Sequence, residues 1–332
     1  MRYVILGAGA IGGAIGGKLA QAGRDVVLVA RGDHLAALRS GGLELRDPER
    51  TDHLTLPAAG SPQEAGIEPG DCVIVATKTQ QSEAALDDLR RAAGRHKGEI
   101  AVVCAQNGVE NERLALRRFE HVYAMRVILA GTHLEPGVVE IATAPVYGLL
   151  EVGRYPSGSD ETVAEIVADL AAAGFGARVA EDVMSYKYLK LLSNLANALE
   201  AATGLRTGDE AAAELLDRAR SEALSCFERA GIVLADEAED AARRRLRGGA
   251  RSVGGTLRHG GSSWQSLARG TGDIEADYLN GEIVLLGRLH GIPTPVNALL
   301  QEVANSLAES RRPPGGTEAK ELLSMLEAQE PK

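Results

Sequence analysis

The feature that most constrains this 332-residue chain is a glycine-rich run that begins at its seventh residue. Residues 3–6 form a short apolar run, typical of a buried strand, and pass directly into Gly7-Ala8-Gly9-Ala10-Ile11-Gly12. Residues 14–22 follow with the composition of a helix, and a second apolar run begins shortly after Gly23. A strand, a tight glycine turn and a helix make the first part of a βαβ unit, which predicts a parallel sheet.

The spacing of Gly7, Gly9 and Gly12 indicates a dinucleotide site at this turn. Glycines permit a tight turn, a close approach of backbone N–H groups to a pyrophosphate, and close packing of the helix on the strand. The alternative is a glycine-rich turn that binds no ligand. We expect the whole run to contact the cofactor, namely Gly7, Ala8, Gly9, Ala10, Ile11 and Gly12.

Arg31 indicates which dinucleotide is bound. NAD-specific folds usually end the second strand with an acidic residue that holds the ribose hydroxyls. Here the apolar run at residues 26–30 is followed by Arg31. A guanidinium pairs with a 2′-phosphate, whereas a carboxylate repels it. The sequence therefore favours NADP(H) as the cofactor, and the alternative is that Arg31 is an exposed loop cation.

Two further strand ends carry polar side chains. The apolar run at residues 71–76 is followed by Lys78, and the run at residues 100–104 is followed by Asn107. Ligands of parallel sheets bind outside the carboxyl ends of the strands. We therefore expect Lys78 to line the cofactor crevice and Asn107 to lie near the nicotinamide. The alternative is that both are ordinary polar loop residues.

The order of the apolar runs predicts an α/β first half and a helical second half. Strands are expected at residues 3–6, 26–30, 72–76, 100–104 and 123–128, with weaker strands at 138–141 and 146–151 that extend the same sheet. Helices are expected at residues 186–202, 211–230, 273–290 and 297–309, with a short terminal helix after residue 316. The prediction is an NADP-binding Rossmann domain with a parallel sheet over residues 1–181 and an all-helical substrate and catalytic domain over residues 182–332.

Charge and cysteine content argue against several other classes of protein. A net charge of -10 disfavours a nucleic-acid partner, and the basic run at residues 243–247 follows an acidic stretch, as a solvated helix end does. The three cysteines lack metal-ligand spacing, so no metal is expected. No apolar stretch approaches the roughly 18 residues that cross a bilayer, so we expect a soluble cytoplasmic protein without a membrane partner.

A polar stripe on the helix expected at residues 186–202 indicates the second half of the site. Lys190, Asn194 and Asn197 stand at i, i+4 and i+7, and they share one face of a continuous helix. Asparagine is a poor helix former, so two asparagines on an apolar helix are better explained by a substrate cleft.

Several motifs occur along the chain in a fixed order. They are GAGAIGG, Lys78 with Gln81, Gln106-Asn107-Gly108, Lys190-Leu-Leu-Ser-Asn194, Ser262-Ser263, and Glu275-Ala-Asp277-Tyr278-Leu-Asn280-Gly281 followed by Gly291-Ile-Pro-Thr-Pro. In this order the chain resembles the ketopantoate reductase (2-dehydropantoate 2-reductase) family from Gly7 to about Asn297. The resemblance implies NADPH-dependent reduction of 2-dehydropantoate to (R)-pantoate, a step of pantothenate biosynthesis.

The resemblance also implies a role for individual residues. Lys190 is the implied catalytic acid, and Glu275 assists at the substrate beside the cofactor. Asn107, Asn194 and Ser263 are the implied substrate-binding residues, to which the polar stripe adds Asn197. The implied partner is a small 2-oxo acid, and a homodimer through the helical domain is left open.

Two departures from the family pattern concern the substrate pocket. The family often has an asparagine eight residues after its lysine, where this chain has Ala198, and another three residues before its serine, where this chain has Gly260. On a continuous helix Asn197 points about 100° away from position 198. The alternatives are therefore a related NADP-dependent dehydrogenase of another 2-oxo or β-hydroxy acid, and a non-catalytic NADP(H)-sensing protein.

Overall fold

The computed structural model describes residues 1–204, 208–258, 260–270 and 272–329, and these form two compact units. The first unit comprises Met1–Lys187 together with Asp236–Arg258, and the second comprises Tyr188–Ala235 together with the chain from residue 259 onward. The expected division at residues 181/182 differs from this one, chiefly because Asp236–Arg258 belongs to the first unit. Within the described ranges, no helix has the length and apolar character needed to cross a membrane.

Among the described residues, every strand belongs to the first unit. In chain order they are β1 (Arg2–Leu6), β2 (Asp25–Val29), β3 (Leu43–Arg46), β4 (Thr51–Leu54), β5 (Ala58–Ala59), β6 (Cys72–Val75), β7 (Ala101–Cys104), β8 (Val122–Ile128), β9 (Gly131–Thr132), β10 (Val138–Ile141), β11 (Leu149–Arg154) and β12 (Gly176–Val179).

Eight of these strands form a main sheet in the order β12-β11-β8-β7-β6-β1-β2-β5. Neighbouring strands are parallel except β8 and β11. The predicted Rossmann-type fold class is confirmed, with all five expected strands and β11 as an antiparallel addition. The chain runs from β1 to β2 on one side, while β6 lies on the other side of β1, so the switch point for ligands falls at the carboxyl end of β1.

A second sheet holds four short strands in the order β4-β3-β10-β9. The expectation that residues 138–141 extend the main sheet is wrong, because β10 pairs in parallel with β3 and antiparallel with β9. Alternate residues of β10 are buried, whereas every residue of β6 and β7 is buried. A strand with one covered face belongs to a small outer sheet, and a strand covered on both faces belongs to the centre.

The helices divide between the two units. The first unit holds α1 (Ala10–Gln21), α2 (Gly32–Gly41), α3 (Pro62–Ala65), α4 (Thr79–Ala93), α5 (Asn111–Leu116) and α6 (Glu161–Ala172). Next in the chain come α7 (Val183–Asn194), α8 (Ala196–Thr203), α9 (Glu210–Ala230), α10 (Glu237–Arg247), α11 (Ser262–Ala268), α12 (Asn280–His290), α13 (Pro295–Glu309) and α14 (Ala319–Gln329).

Helix α1 lies between the two sheets, which explains its paired glycines. A methyl group at Gly16 would come within 2.9 Å of Ile5 and Leu28 of the main sheet. A methyl group at Gly17 would come within 2.9 Å of Leu45 of the second sheet. Because real carbon atoms do not approach so closely without repacking, glycine lets both sheets pack directly on the helix backbone.

Helix α10 packs in the first unit through buried ion pairs. The guanidinium of Arg126 is fully buried and donates to Glu151 at 2.6 Å and to Asp240 of α10 at 2.5 Å. Arg243 lies 3.2 Å from Glu151 and donates to the Gly176 carbonyl oxygen at 2.9 Å. The basic run at residues 243–247 is therefore not simply a solvated helix end, because part of it neutralises a buried carboxylate.

The second unit departs from its sequence prediction at two helices. The helix expected at residues 186–202 is interrupted at Leu195, so that α7 ends at Asn194 and α8 begins at Ala196. The helix expected at residues 273–290 begins only at Asn280 and is preceded by a single 3-10 turn, Ala276–Tyr278. The helices expected at residues 211–230 and 297–309, and the terminal helix, are confirmed.

Candidate functional site

A cavity of about 220 Å³ lies in the first unit where β1, β2 and β6 end. It lies at the sheet edge where parallel sheets bind ligands. A methyl group at Gly7 would come within 2.9 Å of the Thr77 backbone nitrogen, so the segments after β1 and β6 touch. Its lining includes Gly7, Gly9, Arg31, His34, Thr77 and His133.

The three glycines of the first turn have three different environments. Gly7 has a φ of 102°, in the region that side chains disfavour, and both Gly7 and Ala8 donate their N–H groups to the Val29 carbonyl oxygen at 3.1 Å. A methyl group at Gly12 would collide with the Gly7 carbonyl oxygen. At Gly9 a methyl group would meet nothing within 4 Å. Gly7 and Gly12 thus shape the turn, while Gly9 leaves space in front of it.

The open side of this turn fits a dinucleotide phosphate. Helix α1 begins at Ala10 without a side-chain cap, so its first N–H groups can bind an anion in the space in front of Gly9. Ile11 lies in that first turn. The Thr77 hydroxyl is buried and has no hydrogen-bond partner among the described residues, which suits a polar ligand atom.

Arg31 lies at the rim of the cavity, directly before α2. Its side chain is 71% exposed and its guanidinium lies 3.5 Å from the Asp88 carboxylate. An exposed pair at this distance contributes little to stability, so the guanidinium can turn toward a phosphate at small cost.

A buried polar network fixes the loop that carries Asn107. The Asn107 carbonyl oxygen accepts from Thr79 at 3.4 Å and from the Asn111 amide at 3.3 Å. Asn111 also accepts from Ser82 at 2.7 Å, and Ser82 accepts from the Gln106 amide at 2.8 Å. The network joins this loop to α4, whose first residue directly follows Lys78. The loops with Lys78 and Asn107 therefore lie side by side.

Lys190 and Asn194 lie one helical turn apart on α7 in the second unit. Residues at i and i+4 share a helix face, as the sequence predicts for this pair. Asn194 is 8% exposed, and its side-chain nitrogen is buried without a hydrogen-bond partner among the described residues. A buried N–H donor without an acceptor is costly, so this amide is suited to a ligand oxygen.

Asn197 contacts the residue next to Ser263, although the helix that would join Asn197 to Lys190 is interrupted. The Asn197 amide donates to Ser262 at 3.3 Å, and Ser263 is the next residue. The neighbouring Gly261 N–H donates to the Glu200 carboxylate, one turn further along α8, at 2.8 Å. The side chains of Asn197 and Glu200 therefore hold the start of α11, where Ser263 is buried.

Glu275 does not lie on the helix that the sequence predicts. It precedes the turn Ala276–Tyr278, and α12 begins only at Asn280. Burial lowers the pKa of Arg269, and the negative charges of Asp273 and Glu275 oppose that shift. Glu275 therefore stands in a loop within electrostatic reach of a partly buried guanidinium.

The two departures from the family pattern have structural explanations. Ala198 is buried in the apolar core of the second unit, so an apolar side chain that forms no hydrogen bonds takes the place of the family's asparagine. Asn197 and Ala198 are successive residues of α8, so their side chains still point about 100° apart, and the break at Leu195 affects only the direction of both relative to Lys190. Gly260 has a φ of 65°, and a methyl group there would collide with the Trp264 ring.

Sequence reasoning missed three residues that position the site. They are His34 beside the glycine turn, Asn111 beside Asn107, and Asn280, whose amide donates to the Leu195 carbonyl oxygen at 3.3 Å. Asn280 belongs to a quoted motif, but its partner is 85 residues away in the sequence. Within the described ranges no cluster of His, Cys, Asp and Glu could hold a metal ion.

Comparisons with known proteins agree over nearly the whole chain. The family model described as ketopantoate reductase PanE/ApbA matches residues 3–157, and its C-terminal model matches residues 182–308. A 2-dehydropantoate 2-reductase of Mesorhizobium japonicum is 32% identical and is matched over 94% of this chain and 99% of its own.

Solved structures show the same likeness. A PanE/ApbA family ketopantoate reductase from Ralstonia eutropha JMP134 has a TM-score of 0.79 at 29% identity, over 94% of this chain and 99% of that one. A D-mandelate dehydrogenase solved with NADH and anilino(oxo)acetate has a TM-score of 0.79 at 23% identity, over the same shares of each chain. This second likeness shows a shared fold.

Proposed function

Since the chain belongs to the ketopantoate reductase family and is thus an oxidoreductase, we propose that it reduces 2-dehydropantoate to (R)-pantoate with NADPH. The nicotinamide, when bound, supplies the hydride that adds to the ketone carbon. The Lys190 ammonium donates a proton from Nζ to the ketone oxygen, which becomes the new hydroxyl, and a proton from solvent recharges the lysine. Asn107, Asn194, Asn197 and Ser263 bind the polar groups of the substrate, and Glu275 assists beside the cofactor.

Asn194 is the observation that carries the substrate half of this proposal. Its buried side-chain nitrogen has no acceptor among the described residues, and it lies one turn from Lys190. A buried donor of this kind costs about 1–3 kcal/mol unless a ligand supplies the acceptor. A carboxylate or carbonyl oxygen of a 2-oxo acid supplies one next to the proton donor.

The proton-transfer role of Lys190 is tested by Lys190→Ala. We expect kcat for NADPH oxidation with 2-dehydropantoate to fall about 10²- to 10⁴-fold, as for loss of a general acid. The dissociation constant for NADPH should stay within about twofold, since other residues bind the dinucleotide. Lys320→Ala, an exposed lysine on α14, is the matched control and should retain activity. Full activity of Lys190→Ala would refute the assigned acid.

The choice of NADPH is tested at Arg31. Loss of a charge-assisted hydrogen bond to a 2′-phosphate lowers affinity by about 10- to 100-fold. We therefore expect Arg31→Ala to raise KM for NADPH by about that factor and to leave KM for NADH nearly unchanged. Arg39→Ala, which removes an exposed arginine near the end of α2, serves as the control. Equal changes with both cofactors would contradict the assignment.

A second candidate is the reduction of another 2-oxo acid, supported by Trp264. Its indole packs on Gly260, where the family often has an asparagine, so an aromatic ring lies at this position in place of an amide. A panel of 2-oxo acids that includes 2-dehydropantoate and aromatic members ranks the two by kcat/KM. Binding of NADPH without turnover of any member would instead indicate a sensing protein.

The proposal also includes a cytoplasmic location and, as the state to test, a homodimer. Fractionation of cells checks the location, and light scattering of the purified protein checks the assembly. The only ligands that the reaction requires are the dinucleotide and the small 2-oxo acid.

A further inference from the structure

We propose that His34 is a positioning residue of the dinucleotide site, which sets the direction of the Gly9 N–H by holding the Ala8 carbonyl. This inference rests on the proposed use of a dinucleotide and deepens it by adding a residue that controls cofactor affinity. His34 lies in the first turn of α2 and lines the same cavity as Gly7 and Gly9.

The His34 ring is held between two backbone groups. Gly137 donates its N–H to Nδ1 at 2.9 Å, so Nδ1 is an acceptor and carries no proton. Nε2 therefore carries the proton of the neutral ring and donates it to the Ala8 carbonyl oxygen at 2.8 Å. The two bonds define both the tautomer and the orientation of the ring.

Fixing the Ala8 carbonyl has a direct consequence for Gly9. The carbonyl of Ala8 and the N–H of Gly9 belong to one planar trans peptide unit, in which they point in opposite directions. A hydrogen bond that holds the carbonyl toward His34 therefore holds the Gly9 N–H on the other side. Since Gly9 has open space beside it and directly precedes α1, its N–H is one of the backbone groups at the start of α1 that a phosphate would contact.

The far side of the ring is anchored by the second sheet. Gly137 lies directly before β10, and its φ of 80° lets it approach α2, where a methyl group would come within 3.1 Å of Ala37. The His133 ring lies 4.2 Å from that of His34, and its Nδ1 donates to the Val138 carbonyl oxygen at 2.9 Å. The second sheet thus supports the cofactor turn through His34.

The charge state of His34 suits this arrangement. Burial lowers the pKa of His34, the bond to Ala8 opposes that shift, and charge on the neighbouring His133 lowers the pKa further. The other charged side chain that lines this cavity is that of Arg31. At neutral pH the ring is therefore uncharged, as the bond from Gly137 requires.

Two substitutions separate the two hydrogen bonds. The oxygen of His34→Asn reaches the place of Nδ1 and keeps the bond from Gly137 but loses the bond to Ala8. The amide nitrogen of His34→Gln reaches the place of Nε2 and keeps the bond to Ala8. We expect His34→Asn to raise the dissociation constant for NADPH about five- to tenfold, and His34→Gln to raise it less than threefold.

The measurement is calorimetric titration of the full-length protein with NADPH, together with KM and kcat for 2-dehydropantoate reduction. Both variants should raise KM for NADPH in step with the dissociation constant and keep kcat within about twofold at saturating cofactor. His53→Asn, an exposed histidine on β4, is the control. Equal affinities of His34→Asn and the wild type, or equal losses in both variants, overturn the proposal.

Three further outcomes are also decisive. If His34→Asn fails to fold, His34→Ala, which keeps neither hydrogen bond, replaces it in the titration: weaker NADPH binding than that of His34→Gln supports the positioning role, and equal binding by the two variants overturns it. A wild type that binds NADPH but does not reduce 2-dehydropantoate refutes the proposed function and leaves the His34 test intact. A wild type that binds no dinucleotide overturns both.

Discussion

At the scale of single residues, Gly9 and Gly12 occupy the same motif for opposite physical reasons. Gly12 is required because its neighbours leave no room for a side chain, whereas Gly9 has nothing near it and leaves room for a ligand. Its φ of −74° is one that alanine adopts without strain. The sequence pattern alone treats the two glycines as equivalent, and the structure separates packing from binding.

This difference predicts separable effects of two alanine substitutions. Gly12→Ala forces overpacking against the Gly7 carbonyl, so we expect a loss of about 1–3 kcal/mol in the free energy of unfolding and a lower melting temperature. Gly9→Ala should leave the melting temperature nearly unchanged but raise the dissociation constant for NADPH at least tenfold. Thermal melting and titration of both variants check this. A stable Gly12→Ala, or a Gly9→Ala that binds normally, would contradict it.

Residues of the site were predictable from the sequence where local spacing carries the signal. The glycine turn and the Lys190 and Asn194 pair follow from contiguous motifs, and the structure places each within the expected turn or helix face. His34 was not predictable, because its partners Ala8 and Gly137 are 26 and 103 residues away. Such bonds depend on the tertiary fold, which no local pattern records.

At the scale of elements, the interruption between α7 and α8 is imposed from outside the helix. Leu195, at the break, and Ala196, directly after it, both favour a helix, so their own propensities do not explain the break. The Leu195 carbonyl oxygen instead accepts from Asn280, which also donates to Asn297 at 3.0 Å. Asn297 in turn donates to the Glu222 carboxylate at 2.7 Å. This buried series of hydrogen bonds thus determines the direction of the residues after Asn194.

Removing this series of hydrogen bonds should destabilise the protein. Asn280→Ala leaves the Leu195 carbonyl and the Asn297 oxygen without their donor in a buried place, so we expect a loss of about 2–4 kcal/mol in the free energy of unfolding. Asn305→Ala also removes an amide, one that donates to Asp277 at the surface, and should cost less than about 1 kcal/mol. Urea denaturation of both variants compares the two losses in the free energy of unfolding. Equal losses would show that the buried hydrogen bonds stabilise the protein no more than the surface one does.

At the scale of the whole molecule, the composition and the order of elements predicted the two fold classes but not how the chain divides between them. The four-stranded sheet was missed because its strands are two to four residues long and alternate in burial. The return of α10 to the first unit was missed because its buried contact is a charged one. Arginine in a sequence indicates surface, and only the structure shows that Arg126 lies buried between Glu151 and Asp240.

Loss of the α10 carboxylate should have a large effect. Asp240→Ala leaves the fully buried Arg126 without one of its two carboxylates, and breaking a buried pair typically costs about 3–5 kcal/mol. Arg251→Ala, which removes an exposed pair with Glu49 from the same segment, should cost less than about 1 kcal/mol. Burial tends to raise the pKa of Asp240, but Arg244 and Arg126 outweigh it and hold the pKa below 3.8. The stabilisation by this pair should therefore be complete above about pH 4 and disappear as the pH falls further, which denaturation of both variants across pH can check.

The ion pair between Arg126 and Asp240 also bears on how the protein is made. The two residues are 114 positions apart, and the intervening chain includes the start of the second unit. At about 5–20 residues per second, a ribosome synthesises Asp240 roughly 6 to 23 seconds after Arg126. Throughout that interval the Arg126 guanidinium lacks its hydrogen bond to Asp240. The first unit, although its synthesis begins first, is therefore completed only after part of the second unit has been made.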